Sequence, residues 1–571
     1  MVVHWWRRRD DHWRRSMLLN GVGAALSAVV FVVAAVTKFG HGAWVALVLI
    51  ALLVLIAWEC LIRTRVAGAR PQCEVMPRVP TRALYSPFEI RLEPLPLELL
   101  RPALGAGRWG RLDAALADAS PALGGATIWM VNSTAVGGGV AELLRVLVPY
   151  WCGAGLEVRW VVVRAPPRFF TVTKRLHNWL HGHPGDGREL GDRERRIYEQ
   201  VLAGNAAWLA DQLRPRDVVV CHDPQTAGLL PALATTGATL VWRSHVGADR
   251  PNELTRAGWE FLGGYLGHAA AVVITRVGSV PPQLAGLPVW VIAPCIDPCA
   301  TKNRELPTES GAAILAHTGI ASAATTAAPV AIARNGRPIA VRRRCLIRRA
   351  GPAPRLGRDR IVLHLARWDR LKDPVGILDC FVAHVLSQTD AHLLLAGPTL
   401  GAVADDPEAA AVYRHVEQQW SRLAPRARGR LHLIRLPMRD LDENAAIVNG
   451  LQTYADVVVK KSLEEGFGLG VTEAMWKRRA VVASGVGGHR EQIEDRVSGV
   501  LIADARDLAA VGAAVVDLLD DPSLSRKLGA AAQRRVRDRF LPDRHVEQWL
   551  KLLTALATKD ASDHHAAGDR A

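Results

Sequence analysis

Two kinds of apolar run alternate along this chain. Near its start, residues 17–39 (MLLNGVGAALSAVVFVVAAVTKF) and 43–62 (AWVALVLIALLVLIAWECLI) are almost unbroken. Each is long enough to cross a bilayer as a helix. From about residue 81 the runs shorten to strand length. Those at 126–134, 156–163, 217–223, 238–245, 270–276 and 289–297 are rich in Val, Ile and Leu and are separated by helical stretches. A second series lies at 361–367, 391–398, 430–437, 456–462 and 480–488. Continuous rather than alternating apolar strands are those covered on both faces, as in parallel sheets with helices on either side. The pattern therefore predicts an α/β chain with two Rossmann-like domains, at 81–297 and 361–540, preceded by a two-helix transmembrane hairpin within residues 1–70. Residues 298–360 have weak periodicity and read as a linker or insert. Residues 559–571 read as a disordered tail.

Charge orients the hairpin. Arg7, Arg8, Arg9, Arg14 and Arg15 precede the first span, and Arg63, Arg65 and Arg70 follow the second, while the connection carries only Lys38 and His41. By the positive-inside tendency both flanks face the cytoplasm. The expected location is the cell membrane, with the large domains on the cytoplasmic side and the lipid bilayer as a partner. A cleaved signal peptide needs no second span. The net charge of +16 arises partly there and partly in an Arg-rich run at 341–360. No aromatic and basic residues interleave, so nucleic acid is not an expected partner. The eight cysteines are scattered without a CxxC, which fits reduced thiols rather than a zinc site or a disulfide framework.

Three strand ends carry candidate chemistry, because open α/β sheets bind ligands there. After the first strand, NSTAVGGGVAELL (132–144) places Gly137, Gly138 and Gly139 before a helix, where backbone can approach a ligand. It is not a GxGxxG dinucleotide fingerprint. After the strand at 361–367, LARWDRLKDP places Arg367 and Lys372 where both cations can converge on a diphosphate. The third stretch, KSLEEGFGLGVTEAMW, sets Gly466, Gly468 and Gly470 between Glu465 and Glu473. The glycines let amides face a ligand, and a helix starting near Val471 turns its positive end to phosphate. Glu473, in its first turn, can accept from a ribose, and Glu465 can hold a sugar hydroxyl. A hydrolase pair made of Glu465 and Glu473 is the rival reading; it leaves the two cations without a purpose.

Glu465 and Glu473, with seven residues between them and preceded by Arg367 and Lys372, resemble the signature of retaining glycosyltransferases with two Rossmann domains. The resemblance extends through FFTVTKRLHNWLHG, HDPQTAGL, WRSHVGAD, IDPCATKNREL and LPMRDLDENAAIVNGLQ to the trehalose synthase family, which joins nucleotide-activated glucose to free glucose. It implies the type-B glycosyltransferase fold, with a cleft between the domains and a final helix at 541–558 crossing back to the first domain. It implies retaining transfer from a nucleoside-diphosphate glucose to glucose, giving trehalose, possible in either direction. Arg367 and Lys372 would hold the diphosphate. Glu465, with the amides of Gly466, Phe467, Gly468 and Leu469, would position the glucose. Glu473 would bind the ribose, and Gly138 and Gly139 would approach the donor. His222 would stand near the reacting centre, with Asn178, Arg243 and His245 facing the acceptor. No cofactor and no metal are expected, and the chain could pair as a homodimer. The alternatives are a trehalose phosphorylase, or a non-catalytic sugar-nucleotide sensor fused to a transporter fragment. The hairpin, with KFGHGAW, resembles the last helices of amino-acid permease-type transporters and is foreign to the glycosyltransferase pattern, as is the length of the basic insert.

Overall fold

The computed structural model describes residues 85–568 except 137, 277, 279, 280 and 404, with side chains as far as Thr558. The expected membrane spans at 17–39 and 43–62 lie outside these residues. Among the described residues no helix is long and apolar enough to cross a membrane.

The first sheet contains β1 (Phe88–Ile90), β2 (Thr127–Asn132), β3 (Glu157–Val162), β4 (Val218–His222), β5 (Thr239–Ser244), β6 (Ala271–Ile274) and β7 (Val289–Val291). Its order is β1-β3-β2-β4-β5-β6-β7, parallel throughout except for the antiparallel edge strand β1. β8 (Val330–Ile332) and β9 (Pro338–Ala340) form a separate antiparallel hairpin. The second sheet contains β10 (Leu346–Arg348), β11 (Ile361–Leu365), β12 (His392–Pro398), β13 (Leu431–Leu436), β14 (Val457–Lys460), β15 (Ala480–Ser484) and β16 (Val500–Ile502). It runs β10-β13-β12-β11-β14-β15-β16, again with a single antiparallel edge, β10. Every residue of β2, β4, β5, β14 and β15 is buried, which is why these strands read as unbroken apolar runs. In each sheet the chain order reverses at one place, between β2 and β4 and between β11 and β14. Crevices outside the carboxyl ends of strands at such points are the ligand sites of doubly wound sheets.

Seven helices bear on the argument: α1 (Ala106–Leu123), α2 (Gly139–Gly153), α3 (Pro167–Leu180), α4 (Thr308–His317), α5 (Leu441–Tyr454), α6 (Leu469–Trp476) and α7 (Pro542–Gly568). The last crosses back to the first domain. Asp543 accepts from Arg108 Nε and Nη2 at 2.7 and 2.6 Å, and Trp549 meets Trp151 edge to face at 6.0 Å. Just before it, the Ile296 amide donates to the Phe540 carbonyl at 3.0 Å. The backbone stays helical to Gly568, past residue 559, where a disordered tail was expected.

The segment 298–360, whose weak pattern left its structure open, is ordered into regular elements. It holds α4, the β8–β9 hairpin and β10. Three-residue strands are too short to show a period. The packing is tight: a Cβ at Gly450 on α5 would stand 3.3 Å from Leu315 on α4. The Arg-rich run meets carboxylates, with Arg343 2.8 Å from Glu443, Arg348 2.8 Å from Glu417 and Arg360 3.2 Å from Asp456. Much of the run's charge is thus balanced within the fold.

Candidate active site

The two reversal points face each other across a cleft of about 1630 Å³, counting its open mouth. Gly138, Gly139 and His245 line it from the first domain. Arg367, Lys372, Glu465, Gly466, Phe467, Gly468, Leu469 and Glu473 line it from the second. A smaller chamber adjoins it, walled by His222, Gly138, Gly139 and Arg367.

At the end of β14 the chain turns into α6 through the three alternating glycines, and each has its own cause. A Cβ at Gly466 would stand 2.0 Å from the backbone oxygen of His245, in the opposite domain. Gly468 caps α6 with φ +88°, in the left-handed region that side chains rarely adopt. A Cβ at Gly470 would meet Lys460 Nζ at 2.7 Å. α6 starts at Leu469 rather than near Val471, so Glu473 lies beyond the first turn where it was expected.

Lys372 Nζ donates to Glu465 Oε2 at 2.7 Å, and Ser462 Oγ donates to the same oxygen at 3.1 Å. Burial opposes the charge on Glu465, but the Lys372 ammonium with the neighbouring His489 and Lys460 together outweigh it and hold the carboxyl down at about 2. Glu473 is also ionised. Burial resists it, but Lys302, 3.2 Å away, Lys477, Lys460 and Gln452, which donates to its other oxygen at 3.2 Å, together lower its pKa. Burial also works against the charge on Arg367, but Asp406 and Asp369 more than offset it. The second domain thus presents two fixed cations, Arg367 and Lys372, beside two fixed anions.

A pH prediction follows from the lowered Glu465. The group is held below its ordinary 4.5, so it contributes stability fully above that value and loses it as pH falls toward about 2. Glu465→Gln should therefore unfold more readily than the parent at pH 7, and the gap should narrow as pH is lowered through 4. Unfolding midpoints across that range check this, and a gap independent of pH would show the pair to be energetically idle.

In the first domain the histidine geometry fixes its own proton positions. Arg243 Nε donates to His245 Nε2 at 2.9 Å, and His222 Nδ1 approaches that nitrogen at 3.3 Å. His222, which lines the chamber, therefore carries its proton on Nδ1, and its buried Nε2 is bare and without a partner. Burial keeps both rings neutral, with pKa values well below the ordinary range. Arg243 itself faces neither the cleft nor the chamber. It is fully buried, donating to the Ile292 carbonyl at 3.1 Å and lying 5.2 Å from the Trp549 ring of α7. Asn178, the other expected acceptor contact, is buried at the end of α3 and packs under Gly185. Neither side chain lines the cleft or the adjoining chamber where the acceptor contacts were expected, and Arg243 instead orients His245.

Several cleft residues were not anticipated. Lys302 bridges Glu473 and Glu142, at 3.2 and 3.1 Å. Asp223, at φ 64°, accepts from the His245 amide at 2.6 Å, and burial pushes it up to about 7. Glu464 is likewise raised to about 7, chiefly by burial, and burial lowers Lys460 to about 8. Asp223 stands within HDPQTAGL and Lys302 within IDPCATKNREL, so the quoted stretches contained them. Nothing in their local pattern marked them.

Residues 130–280 match the family described as trehalose synthase, N-terminal domain, and residues 352–535 match glycosyl transferases group 1. A trehalose synthase of Rubrobacter xylanophilus is 33% identical over 441 residues, covering 76% of this chain and 91% of the relative. One from Pyrococcus horikoshii is 30% identical over 426 residues, covering 75% and 89%. A trehalose phosphorylase of Pleurotus pulmonarius is 25% identical over 490 residues, but they make up only 60% of its length. Among solved structures, an α,α-trehalose 6-phosphate synthase from Burkholderia multivorans superposes with a TM-score of 0.57 at 14% identity, covering 78% of this chain and 98% of that one. A trehalose-6-phosphate structure from E. coli, bound with UDP-2-fluoro glucose, gives 0.54 at 13%, covering 75% and 99%. These two show the shared two-domain fold. With relatives at this identity over nearly their whole length, and the cations and carboxylates gathered at one cleft, the chain belongs to the trehalose synthase family of glycosyl-transferring enzymes.

Proposed function

We propose that this enzyme transfers glucose, with retention, from a nucleoside-diphosphate glucose to free glucose, forming α,α-trehalose. The observation that carries the reading is the pairing of two cations with two ionised carboxylates at one reversal point, facing histidines across the cleft. Arg367 and Lys372 hold the donor diphosphate and balance the charge that grows on it as the bond to the sugar breaks. Glu473 accepts from the ribose. Glu465 and the amides that follow it accept and donate to the transferred glucose. The bare Nε2 of His222 accepts a hydrogen bond from a hydroxyl of the sugar nearby.

The bond from C1 to the leaving phosphate oxygen breaks, and the acceptor hydroxyl oxygen bonds C1 on the same face. Its proton passes to the departing phosphate oxygen. The reading assigns no resident metal, because the two side-chain cations take the phosphate charge. Arg243 and Asn178 act behind the surface, the former by holding His245 in one tautomer.

Incubation with UDP-, ADP- or GDP-glucose and glucose tests the proposal. Trehalose and the nucleoside diphosphate should appear in equal amounts. Release of glucose 1-phosphate from trehalose and inorganic phosphate, with no nucleotide dependence, would instead establish the phosphorylase. Tight donor binding with no transfer to any sugar would establish the sensor.

A further inference from the structure

Behind Arg367 lies an ion cluster to which the reaction above gives no part. Lys174, on α3 of the first domain, is buried, with its Nζ 2.7 Å from Asp369 Oδ2, 3.2 Å from Glu408 Oε1 and 3.5 Å from Asp406 Oδ1. All three carboxylates belong to the second domain. Their oxygens gather within 4.8 Å of one another, close enough to hold a cation, and the ammonium of Lys174 lies among them.

Arg367 faces the same carboxylates from the cleft side, 3.6 Å from Asp369 Oδ2 and 3.6 Å from Asp406 Oδ2. A charge-assisted bond between a cationic N–H and a carboxylate runs to about 2.7–2.9 Å. Arg367 therefore stands near its carboxylates without closing on them. The Asp369 oxygen it approaches is the one to which Lys174 already donates. Arg370, 3.6 Å from Glu408, is the other cation at the cluster.

Without Lys174, three buried or nearly buried acids would confront Arg367 in a medium where charges attract strongly. The guanidinium would close on Asp369 and Asp406, and its N–H groups would turn from the cleft. We propose that Lys174 is a positioning residue for glycosyl transfer: by engaging Asp369, Asp406 and Glu408 from the opposite domain and offsetting part of their charge, it keeps Arg367 free for the donor phosphates. Since the lysine arrives on the first domain, Arg367 becomes available when the domains are together, which ties donor engagement to closure of the cleft. This rests on the phosphate-holding role proposed for Arg367, not on the identity of the acceptor.

The test is a rescue experiment on the full chain. Lys174→Met should lower kcat and weaken binding of the nucleoside diphosphate by about tenfold to a hundredfold, the size of coupling within one ion-pair network. Lys174→Arg should retain most of both. Adding Asp406→Asn to Lys174→Met should restore most of the loss, because one of the carboxylates that captures Arg367 is gone. A lysine serving only as glue between domains predicts the reverse, since removing a second partner restores nothing. A double variant no better than Lys174→Met, or a fully active Lys174→Met, overturns the proposal. Should Lys174→Met fail to fold, as judged by its melting curve, Lys174→Gln carries the same comparison. Binding of UDP, ADP and GDP is read by calorimetry without any acceptor. A failure to make trehalose therefore sinks the proposed function and leaves this comparison standing, whereas a parent protein that binds none of the three overturns this inference.

Discussion

Replacing Arg367 or Lys372 with alanine should each lower kcat by about a hundredfold or more, the loss that follows removal of one preorganised donor to developing charge. The argument starts from what the two side chains face. Both line the cleft at the reversal point of the second sheet, and Lys372 is fixed by its 2.7 Å bond to Glu465. Charge on the leaving diphosphate grows as the bond to glucose breaks. Cations already in place therefore gain more interaction in the transition state than in the ground state, and interactions of that kind raise kcat. Structural side effects differ between the two. Lys372→Ala leaves a buried carboxylate without its main counter-charge, so it should also lower the melting temperature. Arg367→Ala removes a guanidinium that stands 3.6 Å from its carboxylates, and Lys174 still covers them, so melting should shift less. Steady-state rates on material shown to be folded decide the matter. A loss under about tenfold in both variants is too small for the charge stabilisation claimed.

The strands were legible because burial on both faces writes itself into composition: Val218–Cys221 and Val457–Val459 are apolar at every position and wholly buried. The site's place followed, since Arg367, Glu465 and Gly138 all fall just past strand ends. What did not show was any feature settled by a partner far along the chain. Gly466 looked like room for a ligand, yet its bareness answers to the backbone of His245 across the cleft. Arg243 and His245 alternate at a strand end and looked equivalent. Only the packing of α7, with Trp549 under the guanidinium, shows that one of them is buried support. Lys174 stood within FFTVTKRLHNWLHG, but its three carboxylates lie in the other domain. The arginines of residues 341–360 looked like a surface charge run until Glu443, Glu417 and Asp456 were seen to meet them.

Gly466→Ala should lower kcat/KM by about a hundredfold, the penalty that a misplacement near 1 Å carries at a reacting centre. The added Cβ would stand 2.0 Å from the His245 carbonyl oxygen and 3.2 Å from its carbon, both of them backbone, so no side-chain rotation relieves the contact. Either the loop retreats or the domains part. The loop is tethered within its own domain. Glu465 is held by Lys372, and the Gly466 carbonyl accepts from the Gly488 amide at 3.1 Å. Widening the gap is therefore the easier response, and it carries Glu465 and the loop amides away from His222 and His245. Folding should suffer little, because Gly466 does not use a positive φ and alanine reduces the freedom of the unfolded chain. Gly468→Ala makes the contrast: at φ +88°, with a Cβ 2.9 Å from His489 Nε2, it should lower the melting temperature as well as activity. A folded Gly466→Ala enzyme with parental kcat/KM would mean that the two walls are not held together during turnover, and the coupling of closure to catalysis would fall with it.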